Sequence, residues 1–399
     1  MASHGKPLKP VHHHDKSLYV SKNVHCPLCN APSKYLYFNN GAKKSQIRCK
    51  VCSNLFQQTK KTFPKSKLFC PHCHNALFVW KHLKDLIIHK CCNDNCPHRL
   101  SALNKLNPIE KLIRTKLLPH FKLNYQYREY LFKPSDLKLS SPDKPSINLS
   151  KSYNSINIIA LVLSFYVSFA MSARKTALIL YMVFNIKLSH QTVLNYASSA
   201  AHYCHIFNLK NKGPIDDISA GDEAYIKILG KHFYTFLFIS SKYRKISSYH
   251  LSDTRDTKPA IIAMQEAIRT ASNDQNITLV TDSNPSYPAG IHFINSNSHS
   301  TLIHRKVTGL QNLDSESTVF RPFKQLIERL MRTFKHHVKP AAGFNSFNGA
   351  LALIILFVTH YNFLRPHMSL DYNVPVPLEE LQNISTIQGK WAKIISLAS

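Results

Sequence analysis

Ile327, Leu330, Met331, Phe334 and Val338 recur at steps of three, one, three and four within Gln325 to Pro340. At about 100° per residue they form one narrow apolar stripe, which predicts a helix with that face against a core. Lys324, Glu328, Arg332, Lys335 and Lys339 line one flank. A single glutamate thus stands in a basic row. Taken alone, the segment is explained as a solvated face whose i,i+4 and i,i+7 charge neighbours each contribute a few tenths of a kcal/mol.

Upstream, the pattern changes period. Residues 217–252 read as three strands, punctuated by the turn signals "LGKH" and "SKYRK", with Asp222 in the first strand. Residues 254–272 read as an amphipathic helix. "ITLVTDSNPSY" then reads as a short buried strand ending in Asp282. The C-terminal end of such a strand is where open α/β sheets hold functional groups. Residues 153–205 read as helical. Ala177, Leu180, Tyr181 and Phe184 mark one helix. Ser189 is a good N-cap for a second, which carries Val193, Tyr196 and Ala200. Two helices joined by a short turn, with His190, Gln191 and Asn195 exposed on the second, fit a helix-turn-helix that reads DNA; any helical hairpin shares this spacing. The Pro-, Ser- and Lys-rich stretch 133–152 marks a boundary.

Charge narrows the partners. Fifty-one Lys and Arg face 22 Asp and Glu, a formal net charge of +29 over 399 residues. Such a surplus suits a polyanion such as nucleic acid, and would also be attracted to a membrane surface. The best spanning candidate, residues 157–173, is short of the roughly 18 apolar residues required, so no membrane partner is expected. The first sixteen residues lack the apolar core of a secretory signal. An intracellular protein is the expectation.

Nine of the ten cysteines lie between Cys26 and Cys96; the tenth, Cys204, reads as a packed core residue. Cys26 and Cys29, then Cys49 and Cys52, form two CxxC knuckles at the spacing of a zinc ribbon, with hairpin strands between them. Cys70 and Cys73 open a second cluster, closed by Cys96 with Cys91 or Cys92; Cys91 is favoured, and His72, His74, His89 and His98 are possible substitutes. Both clusters read as structural Zn²⁺ sites with no open position. Lys43, Lys44, Arg48, Lys50, Lys60, Lys61, Lys65 and Lys67, mixed with Tyr35, Tyr37 and Phe56, suit phosphate contact with stacking. His12, His13 and His14 read as a solvated terminus.

The order of strand meander, helix, strand and Glu-bearing helix resembles the RNase H-like fold of DDE transposases and integrases. "DEAYIKILGKHFYTFLFIS" looks like the start of the catalytic core of insertion-sequence transposases; "RD" at Arg255–Asp256 and "TD" at Thr281–Asp282 fit its next blocks. The last block is similar from Ile327 to Leu370. It includes Glu328 with a basic residue seven positions on at Lys335, "GF" at Gly343–Phe344 and "YNFLRPH" at Tyr361–His367. The resemblance covers residues 215 to about 380. Together with the cysteine clusters, the boundary stretch and the helical pair, it gives a multidomain chain: flexible basic tail 1–20, zinc ribbon 21–60, second zinc module 61–100, linker or subdomain 101–150, helix-turn-helix region 151–210, α/β RNase H-like catalytic core with mixed sheet 215–385 and tail 386–399.

The resemblance also implies a catalytic triad of Asp222, Asp282 and Glu328 holding two Mg²⁺ or Mn²⁺ ions. These would serve cleavage of transposon ends and joining of the 3′-OH to target DNA. Arg332, Lys335 and Lys339 would hold the strand. A homo-oligomer acting on DNA in the nucleoid is implied as well. One departure concerns spacing: 45 residues intervene between Asp282 and Glu328, and residues 299–317 look like an insertion. Glu316 is rejected as polar-loop sequence without a basic partner at plus seven. Glu223 is a rival for the first position, but adjacent strand residues face opposite sides, so only one of the two can join. Other readings stay open: a non-catalytic zinc-ribbon and helix-turn-helix DNA-binding protein, a decayed transposase, and a nuclease that cuts without joining.

Overall fold

The computed structural model describes the chain except residues 1, 4–5, 15–17, 41–45, 58–64, 107–122, 146, 150–151, 273, 283, 298–300 and 308–314; side chains of 2–3, 6–7, 65 and 315–317 are also outside the description. Lys43, Lys44, Lys60 and Lys61 therefore lie outside the described residues. Two compact units result, Met1–Leu131 and Phe132–Ser399.

In the first unit, β1 (Leu36–Phe38), β2 (Ile47–Cys49) and β3 (Leu55–Phe56) form a small antiparallel sheet. Val20, Leu36 and Ile47 pack beside Cys26 and Cys49. Tyr19 bridges to Tyr37, so the end of the expected tail belongs to this module. A second sheet runs β4 (Lys65–Phe69), β5 (Ala76–His82), β6 (Leu86–Lys90) and β7 (Gln126–Tyr130), with helix α1 at Pro97–Asn104. β7 pairs with β6 from Leu86 opposite Tyr130 to Lys90 opposite Gln126. The expected end of this module at residue 100 is thus corrected: a strand from the supposed linker completes its sheet.

The second unit is built on a five-stranded sheet. Its strands are β8 (Ile218–Ile228), β9 (Lys231–Ser240), β10 (Ile246–Ser252), β11 (Asn276–Thr281) and β12 (Thr301–Lys306), in the order β10-β9-β8-β11-β12. The first three are antiparallel, and β11 and β12 run parallel to β8 and to each other, so the sheet is mixed. The β8–β9 turn uses Leu229 and Gly230, both with positive φ, as a two-residue hairpin of this twist requires. Helices α5 (Thr257–Ile268) and α6 (Ser286–Asn297) follow β10 and β11, and helix α7 is Ser315–Val338. Part of the supposed insertion is thus the edge strand β12, and Glu316 lies in a helix, not in a loop.

The apolar stripe of α7 behaves as its periodicity predicts: Ile327, Leu330, Met331 and Phe334 are buried in one core with β8, β9 and helix α8 (Phe347–Thr359). Helices α2 (Ile156–Leu163), α3 (Ala173–Phe184) and α4 (His190–Lys210) precede the sheet. Ser172 and Ser189 cap α3 and α4 by accepting from the backbone N–H groups of Lys175 and Thr192. Helices α2 and α4 share a core with the sheet domain: Asn208 of α4 donates to the Ile355 carbonyl and accepts from the Thr359 hydroxyl. Cys204 is fully buried there, and burial pushes its thiol up to about 12.

Two expectations are corrected. Phe347–Leu364 has the length and hydropathy of a membrane span, although no apolar run of that kind was expected. It is 83% buried inside the protein, as the central helix of the core. Residues 386–399 form helix α9 (Ile387–Ala398), not a tail; Trp391 is fully buried and donates to the Ser168 hydroxyl at 2.9 Å. Trp391→Ala should therefore lower unfolding stability by about 3–5 kcal/mol in urea denaturation, the range for aromatic truncation in a core.

Candidate functional site

β8 pairs with β11 in parallel register: Ile218 opposite Thr278, Ser219 opposite Leu279 and Ala220 opposite Val280. The pairing ends there; Asp222 and Asp282 each lie two residues beyond the last pair, Asp282 just past the C-terminal end of β11. Helix α7 packs across β8 and carries Glu328, half-exposed, on that side of the sheet. Burial and then Glu223 push the Tyr287 phenol well above its usual value, and Asp222 and Asp282 both add to that shift, so both carboxylates act on one neighbouring point.

Strand alternation divides Asp222 from Glu223. Asp222 turns to α7 and takes the Lys324 ammonium on Oδ2 at 2.6 Å. Glu223 turns to the other face. Its side chain is only 4% exposed and accepts from Arg255 at 2.8 Å, from Asn284 at 2.6 Å and from the Tyr287 hydroxyl. With its oxygens committed there, Glu223 is set apart from the Asp222 side. The Asp282 Oδ1 accepts the Asn284 backbone N–H at 2.9 Å, which holds the loop after β11. Thr281, just before it, hydrogen-bonds His304 of β12 at 2.8 Å. Among the described residues, the only sets of three or more ligand atoms within 4.8 Å are the two cysteine clusters, so the oxygens of Asp222, Asp282 and Glu328 are not gathered that tightly. The donor chemistry, hard oxygens from three segments, fits a divalent cation.

Arg332 and Lys335 are exposed along α7 and Lys339 in the turn just after it, with the Lys335 ammonium 5.9 Å from the Tyr225 ring centroid. Sequence reasoning missed two companions, Arg244 and Arg365. Arg332 and Arg365 line a cavity of about 620 Å³ with His336, His337 and His360; Arg244, Arg329 and Arg365 line a neighbouring one of about 180 Å³. No carboxylate lines either. Burial, then His337 and Arg365, drive His360 down to about 3, so His360 adds no positive charge there. Arg244 lies in a turn and Arg365 follows a helix, so no periodic pattern links them to Arg329 and Arg332.

In the first unit, the Sγ atoms of Cys26, Cys29, Cys49 and Cys52 converge, with 3.5 Å between Cys26 and Cys52 and 3.6 Å between Cys29 and Cys49. Cys70, Cys73, Cys91 and Cys96 form the second set, with pairs at 3.8 and 3.6 Å; Cys92 is exposed and outside it. Four thiolates about 2.3 Å from a tetrahedral centre stand roughly 3.8 Å apart, so both sets fit zinc. The backbone N–H of Asn75 heads the interactions that hold the Cys73 thiol down to about 7. His89 pairs with Glu129, and His72 stacks on His98; none of the three joins a cluster.

His190 and Gln191 are exposed at the start of α4, and Gln191 donates to Asn195 at 2.9 Å. They stand on a helix whose later half is core.

Residues 219–353, about a third of the chain, match a family model described as a DDE domain, from a transposase family, and the match spans Asp222, Asp282 and Glu328. Residues 219–353, which run from β8 through the five strands of the mixed sheet and into α8, are thus similar to a DDE domain. No curated protein matches the chain. Among solved structures, the HTLV-2 integrase catalytic core domain in complex with magnesium, in its trimeric form, is 13% identical over 41% of this chain and 95% of its own, with a TM-score of 0.27. A simian T-cell lymphotropic virus intasome is 16% identical over 57% and 80%, with the same TM-score.

Breaking the Glu223 network tests the division of the two carboxylates. Glu223→Ala should cost about 3 kcal/mol in urea unfolding, because Arg255, Asn284 and Tyr287 lose a buried acceptor. An unchanged midpoint would contradict the network.

Proposed function

We propose that this protein is a DNA transposase that cuts at its element's ends and joins the resulting 3′-OH to target DNA. The observation that carries the reading is the parallel β8–β11 pairing within the matched DDE domain, with Asp222 and Asp282 each two residues past its last pair. Asp222, Asp282 and Glu328 are the ligands of two Mg²⁺ or Mn²⁺ ions, which when bound activate the attacking oxygen and stabilise the leaving one. Water first attacks a phosphodiester at the element end; the P–O3′ bond breaks and a 3′-OH is freed. That 3′-OH then attacks a target phosphodiester, one P–O bond forming as another breaks. The fixed donors and cations on α7 orient the strand for both steps.

The carboxylate-free arginine cavities beside α7, with Lys335 and Lys339, form the path of the DNA backbone. The cysteine clusters hold one structural Zn²⁺ each and the α3–α4 pair serves as a helix-turn-helix; both lie on elements that DNA contacts. The working form is a homo-oligomer.

Incubating a duplex carrying the element ends with target DNA in Mg²⁺ or Mn²⁺ tests the chemistry. Wild type should cut and join, whereas Asp282→Asn and Glu328→Gln should lose both activities, with DNA binding kept in mobility shifts. Cutting without joining would establish a nuclease instead, and binding without cutting in wild type would establish a DNA-binding protein. For the front end, metal analysis should give two zinc ions per chain. Cys91→Ser should lose one ion and Cys92→Ser neither.

A further inference from the structure

Lys324 is the buried cation of the carboxylate site. It is only 8% exposed, an unusual state for a lysine, and its ammonium lies 2.6 Å from Asp222 Oδ2. It stands four residues before Glu328, one turn up the same flank of α7, so its position is fixed by the helix that delivers the glutamate. The stem is long and rotatable, and the ammonium is a compact point charge with three donors. No second carboxylate is paired with it among the described residues.

Resting on the transposase reading of this site, we propose that Lys324 competes with a divalent cation for Asp222. In the free protein it holds the metal ligand closed; metal binding displaces it into the open side of the site. Two positive groups cannot share one oxygen at contact distance, because their repulsion adds to the cost of stripping water from the ion. The device keeps Asp222 compensated until the metal arrives. The displaced ammonium then sits among α7's other cations, where the DNA phosphate is to lie.

Two measurements on the full, zinc-loaded chain test this without reading activity. The first is Mn²⁺ titration followed by electron paramagnetic resonance of the free ion. Lys324→Met should tighten Mn²⁺ binding about tenfold or more, the equivalent of a close charge-pair coupling. Lys324→Arg, which keeps the charge, should bind as weakly as wild type and so separates charge from packing. The second is acetylation of Lys324 by acetic anhydride, read by mass spectrometry; labelling should be slow without metal and rise when Mg²⁺ is added. Equal Mn²⁺ affinity in wild type and Lys324→Met, or labelling indifferent to Mg²⁺ at saturating metal, overturns the competition while leaving the carboxylate site standing. If neither wild type nor Lys324→Met binds Mn²⁺, both the competition and the metal-site reading are overturned.

Discussion

Parallel pairing of β8 with β11 leads Asp222 and Asp282 each two residues past its last pair, where both bear on the Tyr287 phenol, and like charges converging there work against the pairing. The structure meets this repulsion locally. Asp222 is matched by Lys324, the neighbouring Glu223 by Arg255, and the backbone N–H of Asn284 serves Asp282. Because side chains alternate along β8, a slip of one residue would exchange Asp222 and Glu223 between faces and strand both without partners. Register, charge compensation and the position of α7 are thus one constraint seen from three sides.

Much of this was legible in the sequence because it rests on periodicity. The stripe from Ile327 to Val338, the three-strand meander and the cysteine spacings each belong to a repeating geometry, and the structure follows them. What was hidden depends on partners far along the chain. Thr301–Lys306 looks like polar insertion until β11 is there to pair with it. Lys324 looks like one more surface charge until Asp222 lies beneath it. Gln126–Tyr130 has no strand signal strong enough to stand without β6. Helix α9 is short, and its burial is dictated by the surface that receives Trp391.

Several family words turn out to have mechanical roles. Gly343 has φ of 112°, a conformation side chains rarely adopt, and it delivers the Phe344 backbone to the end of β8, where it bonds Lys227 and Leu229. Asn362, inside "YNFLRPH", holds both backbone groups of Ile246 at 2.8 and 2.9 Å, pinning the start of edge strand β10. Ser140 bonds Leu251 and His250 along the same strand, so an edge open to pairing with other chains is partly covered. The last block therefore braces both ends of the antiparallel strands as well as carrying Glu328.

Helix α9 has a consequence for the order of assembly. Trp391, Ile394 and Ile395 belong to the same core as α2 and α4, although more than 170 residues separate them in the chain. That core stays incomplete while α9 is undocked, so α2 and α4 keep an uncovered apolar surface until residues far along the chain are in place. Products truncated before Trp391 would expose the apolar surface that it otherwise seals.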